Sequence, residues 1–302
     1  MIVLKGLYTA LVTPFNKRGN IDYKALKILL TKQIEAKVAG IVLLGTTGEA
    51  PTISETEKEK LIRFVISVLQ GKLQLILGMG SNNTKSAVVQ ASMYSRFNID
   101  ALLVSVPAYN KPTEKGLIEH FTKIANVSKV PIILYNVPSR TGTSLTEKAI
   151  RILSKHNNII GIKEASGNMW FALDVSKYID DKFALLSGCD ELTLPLLSIG
   201  AAGSISVASN IIPFCANKII SEFEFNLHNT TFLNRALCDF YKACFVETNP
   251  IPIKYMLAKQ KIIKNKVRTP LTTLSPSKRK SVAETLDKVI KIENQIKKGF
   301  YT

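Results

Sequence analysis

The chain has 302 residues and carries 40 Lys and Arg against 23 Asp and Glu, which gives a formal net charge of +17 at pH 7. Its 46% hydrophobic and 21% charged residues are typical of a globular protein, with room for one domain of about 200–250 residues and an appendage. No apolar run reaches the ~18 residues that a membrane helix needs, and the N-terminal residues lack the layout of a signal peptide. We therefore expect a cytoplasmic protein with no membrane partner.

The basic charge raises nucleic acid as a possible partner. The densest basic cluster, residues 259–268, lies among aliphatic residues and has no interleaved aromatic side chains on which bases could stack. We interpret it as a solvated lysine-rich surface and predict no nucleic-acid partner.

Cysteine and histidine spacing bears on redox state and on metals. The four cysteines form no CxxC pair, and the three histidines lie far apart along the chain. Free thiols in a reducing compartment are the simplest interpretation of the cysteines. The histidines do not have the spacing of a transition-metal site, so we predict no metal and no other cofactor.

Short apolar runs alternate with amphipathic stretches over the first three quarters of the chain. The apolar runs predict eight strands, at residues 7–13, 40–44, 73–77, 100–105, 131–135, 159–163, 183–187 and 203–207. Helix signals lie between them: Asp22 can cap one helix, and Ser54 with Glu57 forms a capping box for the next. The remaining helices are predicted at residues 83–97, 113–127, from 146, at 167–179, 190–197 and 211–223.

Eight strand–helix units of this length predict a parallel (β/α)8 barrel, an α/β TIM barrel. A doubly wound open sheet is the alternative. Its dinucleotide-binding glycines are incomplete, because Gly78 and Gly80 lack the third glycine at the required spacing. From residue 226 the strands stop, and breaks near Pro250 and Pro270 suggest about three helices. We therefore predict a barrel over 1–225 and a helical domain over 226–302.

Lys163 ends the sixth predicted strand, a run of small and β-branched residues. Alternation along a strand puts Gly161 and Lys163 on the opposite face from Ile160 and Ile162. Where both faces are covered, burial disfavours the charged ammonium, and a neutral amine can attack a ketone to form a Schiff base. The alternative is that Lys163 is one of the chain's many surface lysines, which this stretch alone does not exclude.

Other polar residues follow the predicted strands, and barrel enzymes place their chemistry at this end. Each has a structural alternative: the Gly-Thr-Thr-Gly segment could be a plain turn, Tyr135 a half-buried aromatic, and Arg140 a solvated loop residue. Their occurrence at several strand ends together favours a site. The strand-end residues are Thr46, Thr47, Tyr109, Tyr135, Arg140, Lys163, Gly188 and Ile205.

Three segments carry a resemblance to a known family: Gly45-Thr-Thr-Gly-Glu49, Tyr135-Asn-Val-Pro-Ser-Arg-Thr-Gly142 and Gly161-Ile-Lys-Glu-Ala165. In order, spacing and strand position they resemble the dihydrodipicolinate synthase (4-hydroxy-tetrahydrodipicolinate synthase) family. This family belongs to the Schiff-base, class I aldolase superfamily with N-acetylneuraminate lyase. The resemblance implies a lyase that condenses pyruvate with L-aspartate-4-semialdehyde to 4-hydroxy-tetrahydrodipicolinate, in lysine and diaminopimelate biosynthesis.

The resemblance also implies roles for individual residues. Lys163 would carry the imine and then the enamine. Tyr135 would move protons together with Thr46 and with Tyr109, which in the family reaches in from a neighbouring subunit. Substrate binding would fall to four residues: Thr47 for the pyruvate carboxylate, Arg140 for the semialdehyde carboxylate, and Gly188 and the Ile205 carbonyl for the pocket floor. A homotetramer built as a dimer of dimers, or at least a homodimer, is implied.

Departures from the family concern regulation. The positions of its lysine-inhibitor site hold unusual residues here, and Lys58 would repel a cationic inhibitor, so we predict little or no feedback by L-lysine. These positions are Ala50, Pro51, Lys58, Ser86 and Ala108.

The rival functions are another pyruvate-dependent lyase, acting on N-acetylneuraminate or a 2-keto-3-deoxy sugar acid, and a basic nucleic-acid-binding barrel.

Overall fold

Eight parallel strands close into a barrel, in the order β1 to β8. The computed structural model describes residues 2–300, and it confirms the predicted (β/α)8 barrel over the open doubly wound sheet. The strands are β1 Gly6–Ala10, β2 Gly40–Leu43, β3 Gln74–Met79, β4 Ala101–Ser105, β5 Ile132–Asn136, β6 Ile159–Glu164, β7 Ala184–Ser187 and β8 Gly203–Ser206.

Helices follow the strands and continue after the barrel. Those of the barrel part are α1 Tyr23–Glu35, α2 Glu55–Leu69, α3 Thr84–Tyr94, α4 Glu114–Val127, α5 Pro138–Thr141, α6 Glu147–Leu153, α7 Met169–Ser176, α8 Thr193–Leu197 and α9 Pro213–Glu222. Those beyond it are α10 Leu227–Ala236, α11 Cys238–Cys244, α12 Ile251–Lys259 and α13 Pro276–Lys297.

Local sequence signals set the starts of several helices. The Asp22 side chain accepts from the Ala25 N–H at the start of α1. Ser54 and Glu57 form the predicted capping box of α2, with both reciprocal hydrogen bonds present. Each bond satisfies a backbone N–H that has no partner inside the helix. The predicted caps are therefore confirmed.

Two helical predictions were wrong in detail. About three helices were expected after residue 226, and the described residues contain four. The extra break lies at Leu237, whose N–H bonds to the carbonyls of Leu233, Asn234 and Arg235, so the chain tightens between α10 and α11. The helix predicted at 190–197 begins as a 3-10 turn at Asp190–Leu192 and becomes α8 only at Thr193.

Residue contacts divide the described chain into two units. The first contains residues 2–6 and 74–205, with the hydrogen-bonded strands β3 to β7 and helices α3 to α8. The second contains residues 7–73 and 206–300, with β2, α1, α2 and the helices from α9 onward. The boundary proposed at residue 225 stays a prediction. Within residues 2–300, no helix combines the length and apolar character needed to cross a membrane.

The core of the first unit contains a histidine that should make stability depend on pH. His120 of α4 is 2% exposed, and its Nδ1 lies 2.9 Å from the Thr84 hydroxyl. Burial lowers the pKa of His120 to about 4, from 6.5. Because the unfolded chain takes up this proton first, the folded state should lose up to about 3 kcal/mol as the pH falls from 6.5 to 4, and no more below that.

The variant His120→Gln, which does not titrate, tests this dependence. Urea denaturation of both proteins between pH 7 and 4 should show the wild-type curve falling more steeply by about that amount. The matched change His228→Gln, at an exposed histidine, should leave the wild-type slope unchanged. Parallel curves for the wild type and His120→Gln would contradict the assignment.

Candidate active site

Lys163 is the penultimate residue of β6, a strand in which every residue from Ile159 to Glu164 is buried. The Lys163 side chain is itself only 5% exposed overall, so the predicted burial is confirmed. Its Cα partners in the neighbouring strands are Tyr135 of β5 and Leu186 of β7. Within residues 2–300, no carboxylate forms an ion pair with its ammonium. A buried amine without a carboxylate partner is unusual for a purely structural lysine.

Tyr135 is an aromatic neighbour of this amine. The Lys163 Nζ lies 4.3 Å from the centroid of the Tyr135 ring. The two residues are in register on adjacent parallel strands, so their side chains point to the same face. The pair therefore combines a nucleophilic amine with a phenol that can exchange protons near it.

Gly188 leaves room for the lysine. A Cβ placed at this position would lie 2.9 Å from Lys163 Cε, 2.9 Å from the Glu164 carbonyl and 2.6 Å from Ala165 Cβ. The Gly188 N–H also donates to the Glu164 carbonyl at 2.6 Å, which fixes the backbone. Only glycine fits here without moving Lys163.

The variant Gly188→Ala should therefore displace the Lys163 side chain. A shift of about 1 Å in a reacting group costs on the order of 100-fold in rate, so we expect kcat/KM for pyruvate to fall by about that factor. Steady-state kinetics measures the loss. The matched change Gly116→Ala in α4, where the new methyl would meet nothing closer than 3.4 Å, should leave the rate unchanged. Equal rates for Gly188→Ala and the wild type would contradict the steric argument.

Two buried polar residues, Asn136 and Glu164, hold the backbone of the loop after β5. Asn136 donates from Nδ2 to Glu164 Oε2 at 2.7 Å, and its Oδ1 accepts from the Leu145 N–H at 3.0 Å. Glu164 also accepts from the Ser166 N–H at 2.5 Å. Burial raises the pKa of Glu164, and these hydrogen bonds oppose the shift. Asn136 thus links both ends of the segment from residue 136 to residue 145, which contains Arg140, to β6, the strand that carries Lys163.

Arg140 and Tyr109 lie at the surface of the same unit. Arg140 is in the short helix α5 and is exposed. Tyr109 is 89% exposed and has a left-handed backbone, with φ of +76°. Its N–H donates to the Thr141 carbonyl at 3.3 Å, so the two surface segments are linked through the backbone. Within one chain the Tyr109 side chain is therefore not packed against the Lys163–Tyr135 pair.

The Gly45–Glu49 segment after β2 forms two overlapping turns in the second unit. The Gly48 N–H donates to the Gly45 carbonyl and the Glu49 N–H to the Thr46 carbonyl, both at 3.1 Å. Thr47 is 3% exposed, whereas Thr46 is half-buried. The Thr47 hydroxyl accepts from Asn249 Nδ2 at 2.9 Å.

The last predicted residue, Ile205, lies in β8 of the first unit and is fully buried. Sequence reasoning missed three residues that hold the site segments: Asn136, Glu164 and Asn249. The first two lie inside the segments that carried the resemblance, next to the residues singled out. Asn249 was treated only as part of a helix break.

Comparison with known proteins shows a family match over nearly the whole chain. The sequence model of the dihydrodipicolinate synthetase family matches residues 3–289. The 4-hydroxy-tetrahydrodipicolinate synthase of Protochlamydia amoebophila is 39% identical over 290 residues, covering 95% of this chain and 97% of that one.

Solved structures give the same result. A 4-hydroxy-tetrahydrodipicolinate synthase from Methylacidiphilum fumariolicum matches with a TM-score of 0.94 and 36% identity, over 99% of this chain and 100% of that one. A structure described as the first monomeric dihydrodipicolinate synthase variant matches with a TM-score of 0.91 and 35% identity, over 94% of this chain and 96% of that one.

Proposed function

The chain belongs to the dihydrodipicolinate synthetase family, and from this premise we propose that Lys163 is the amine that forms the Schiff base with pyruvate. The enzyme is a lyase of the class I aldolase type that condenses pyruvate with L-aspartate-4-semialdehyde to 4-hydroxy-tetrahydrodipicolinate. The observation that carries the assignment of Lys163 is its burial at the end of β6, 4.3 Å from the Tyr135 ring and without a carboxylate partner among residues 2–300.

Each step of the reaction needs a proton to move. The Lys163 nitrogen attacks the ketone carbon, and the carbinolamine loses water to give the iminium. Loss of a methyl proton then gives the enamine, whose carbon attacks the aldehyde and leaves a hydroxyl. The amino group of the condensed product attacks the iminium carbon, which closes the ring and releases Lys163. We assign the proton transfers to the Tyr135 hydroxyl, because the Tyr135 ring lies 4.3 Å from the Lys163 amine.

The remaining roles rest on the family resemblance and on local geometry. Thr46 is assigned to the proton relay and Thr47 to the pyruvate carboxylate, since hydroxyl and backbone N–H donors in a turn suit an anion. Arg140 is assigned to the semialdehyde carboxylate, which its exposed position on α5 supports. Gly188 and the Ile205 carbonyl are assigned to the pocket floor. The close approach of Gly188 to Lys163 supports the first of these.

We propose that the working enzyme is a homotetramer built as a dimer of dimers, or at least a homodimer. The support is Tyr109, whose 89% exposed side chain can join the relay only if it reaches the site of a neighbouring subunit. A similar protein is described as a monomeric variant; for this chain we expect sedimentation to give the mass of four chains, or of two, and the mass of one chain would contradict the proposal. A cytoplasmic location is part of the proposal, and the four free cysteines support a reducing compartment.

Turnover with both substrates tests the function. Purified protein given pyruvate and aspartate semialdehyde should form 4-hydroxy-tetrahydrodipicolinate, which a coupled reductase assay detects. Cleavage of N-acetylneuraminate or of a 2-keto-3-deoxy sugar acid, without condensation of the semialdehyde, would instead identify the related lyases.

A further inference from the structure

The turn that carries Thr46 and Thr47 is held by the helical segments that follow the barrel. Asn249, just before α12, is 5% exposed, and its Nδ2 donates to the Thr47 hydroxyl at 2.9 Å. Thr47 is equally buried, at 3% exposed. This contact joins residues 202 positions apart in the sequence, and both belong to the second unit.

The direction of this hydrogen bond fixes what Thr47 can do. A threonine hydroxyl has one proton to donate and lone pairs that accept. Because Asn249 donates to the oxygen, the Thr47 proton must point to another acceptor. In the part of the chain that the structure describes, no group accepts it. A buried donor without an acceptor costs free energy, and an incoming carboxylate, which only accepts, would remove that cost.

The far end of the same turn is fixed by buried charges. Glu49 has a left-handed backbone, with φ of +55°, which a non-glycine residue keeps only where its surroundings hold it. Its carboxylate forms a fully buried ion pair with Lys254 and accepts from the Arg268 N–H at 2.9 Å. The Lys254 ammonium also donates to the Lys266 carbonyl at 3.0 Å. These contacts hold the backbone next to Thr47 in place. The group that bonds to the Thr47 hydroxyl, and so orients it, is Asn249.

We propose that Asn249 is a positioning residue for pyruvate: by donating to Thr47 Oγ1 it turns the Thr47 proton toward the pyruvate carboxylate. This inference rests on the proposed role of Thr47 in binding that carboxylate. It extends the site to a residue outside the strand-end loops.

The variant Asn249→Asp tests the direction of the hydrogen bond. Aspartate has the same shape but accepts, so the Thr47 proton should turn toward residue 249 and away from the substrate. A hydrogen bond to a charged group is lost, which should raise the pyruvate concentration for half-maximal borohydride trapping about tenfold or more. The KM for aspartate semialdehyde should change less than twofold. A purely structural defect would instead lower kcat and affect both substrates.

A double-variant cycle separates orientation from the added negative charge. Thr47→Val alone should weaken pyruvate binding by a similar factor, and Asn249→Asp added to Thr47→Val should weaken it no further. The matched change Asn234→Asp, at a buried asparagine in α10, should leave pyruvate binding unchanged. If Asn249→Asp does not fold, Asn249→Ala takes its place, with an expected loss of about threefold because the hydroxyl is freed rather than reversed.

Two results would overturn the inference: unchanged pyruvate binding in the Asn249 variant, or an equal further loss in the Thr47→Val background. Both are distinct from failure of the proposed function, in which the wild-type protein itself would form no pyruvate adduct.

Discussion

Replacing Lys163 by methionine should reduce turnover by at least about 10³-fold, the scale expected when the group that forms a covalent intermediate is removed. The same change should leave the free energy of unfolding unchanged or raise it. The reason is that a buried polar amine, which has no ion-pair partner among residues 2–300, is replaced by an apolar side chain of similar length. Loss of activity with retained stability is typical of a residue kept for function.

Initial rates and urea denaturation of the same preparation measure the two effects. The exposed residue Lys129 provides the control, because Lys129→Met should leave turnover unchanged. Turnover within tenfold of the wild type in Lys163→Met would show that another group forms the intermediate. A large loss of stability would show that Lys163 has a structural partner.

Replacing Lys254 by methionine should have the largest effect on stability. The Lys254 and Glu49 side chains are both 0% exposed, so the variant leaves the Glu49 carboxylate buried without its cation. Breaking a buried pair in this way costs about 3–5 kcal/mol. The Lys254 ammonium also lies 4.0 Å from the centroid of the Phe15 ring, and that contact is lost as well. Burial lowers the pKa of Lys254 to about 8, with Glu49 opposing the shift, in keeping with a dry site.

Urea denaturation followed by circular dichroism, at one protein concentration, measures this loss. The double variant Glu49→Gln with Lys254→Met removes both charges and keeps an acceptor for the Arg268 N–H, so it should recover most of the stability. The half-buried helical pair of Lys218 and Glu222 gives the control, since Lys218→Met should cost less than about 1 kcal/mol. Equal losses of unfolding free energy in Lys254→Met and Lys218→Met would mean that the buried Glu49 carboxylate does not need the Lys254 ammonium as its partner.

The sequence predicted the features that depend on neighbouring residues. The capping box of Ser54 and Glu57 was predictable because its hydrogen bonds span three residues. The burial of Lys163 followed from the apolar run that precedes it, together with the pattern of eight strand–helix units. The proximity of Tyr135 to Lys163 followed from their places at the ends of consecutive strands, which pair in register.

Contacts between distant residues were not predictable in the same way. In the sequence, Asn249 is only part of a helix break, and Lys254 is one lysine among many. The fold brings Asn249 to Thr47 and Lys254 to Glu49. The Asn136–Glu164 pair was missed because side chains alternate along a strand, which puts Glu164 on the opposite face from Lys163 and from the other candidate site residues. Tyr109 is exposed in a single chain, so its proposed role depends on contacts with a neighbouring subunit, which sequence patterns within one chain do not predict.

The most direct test of Lys163 is reduction of the wild-type protein with borohydride in the presence of pyruvate, followed by proteolysis and mass mapping of the modified lysine. We expect one reduced pyruvate adduct per chain, located on Lys163, and none when pyruvate is omitted. An adduct on a different lysine, or no pyruvate-dependent adduct at all, would contradict it.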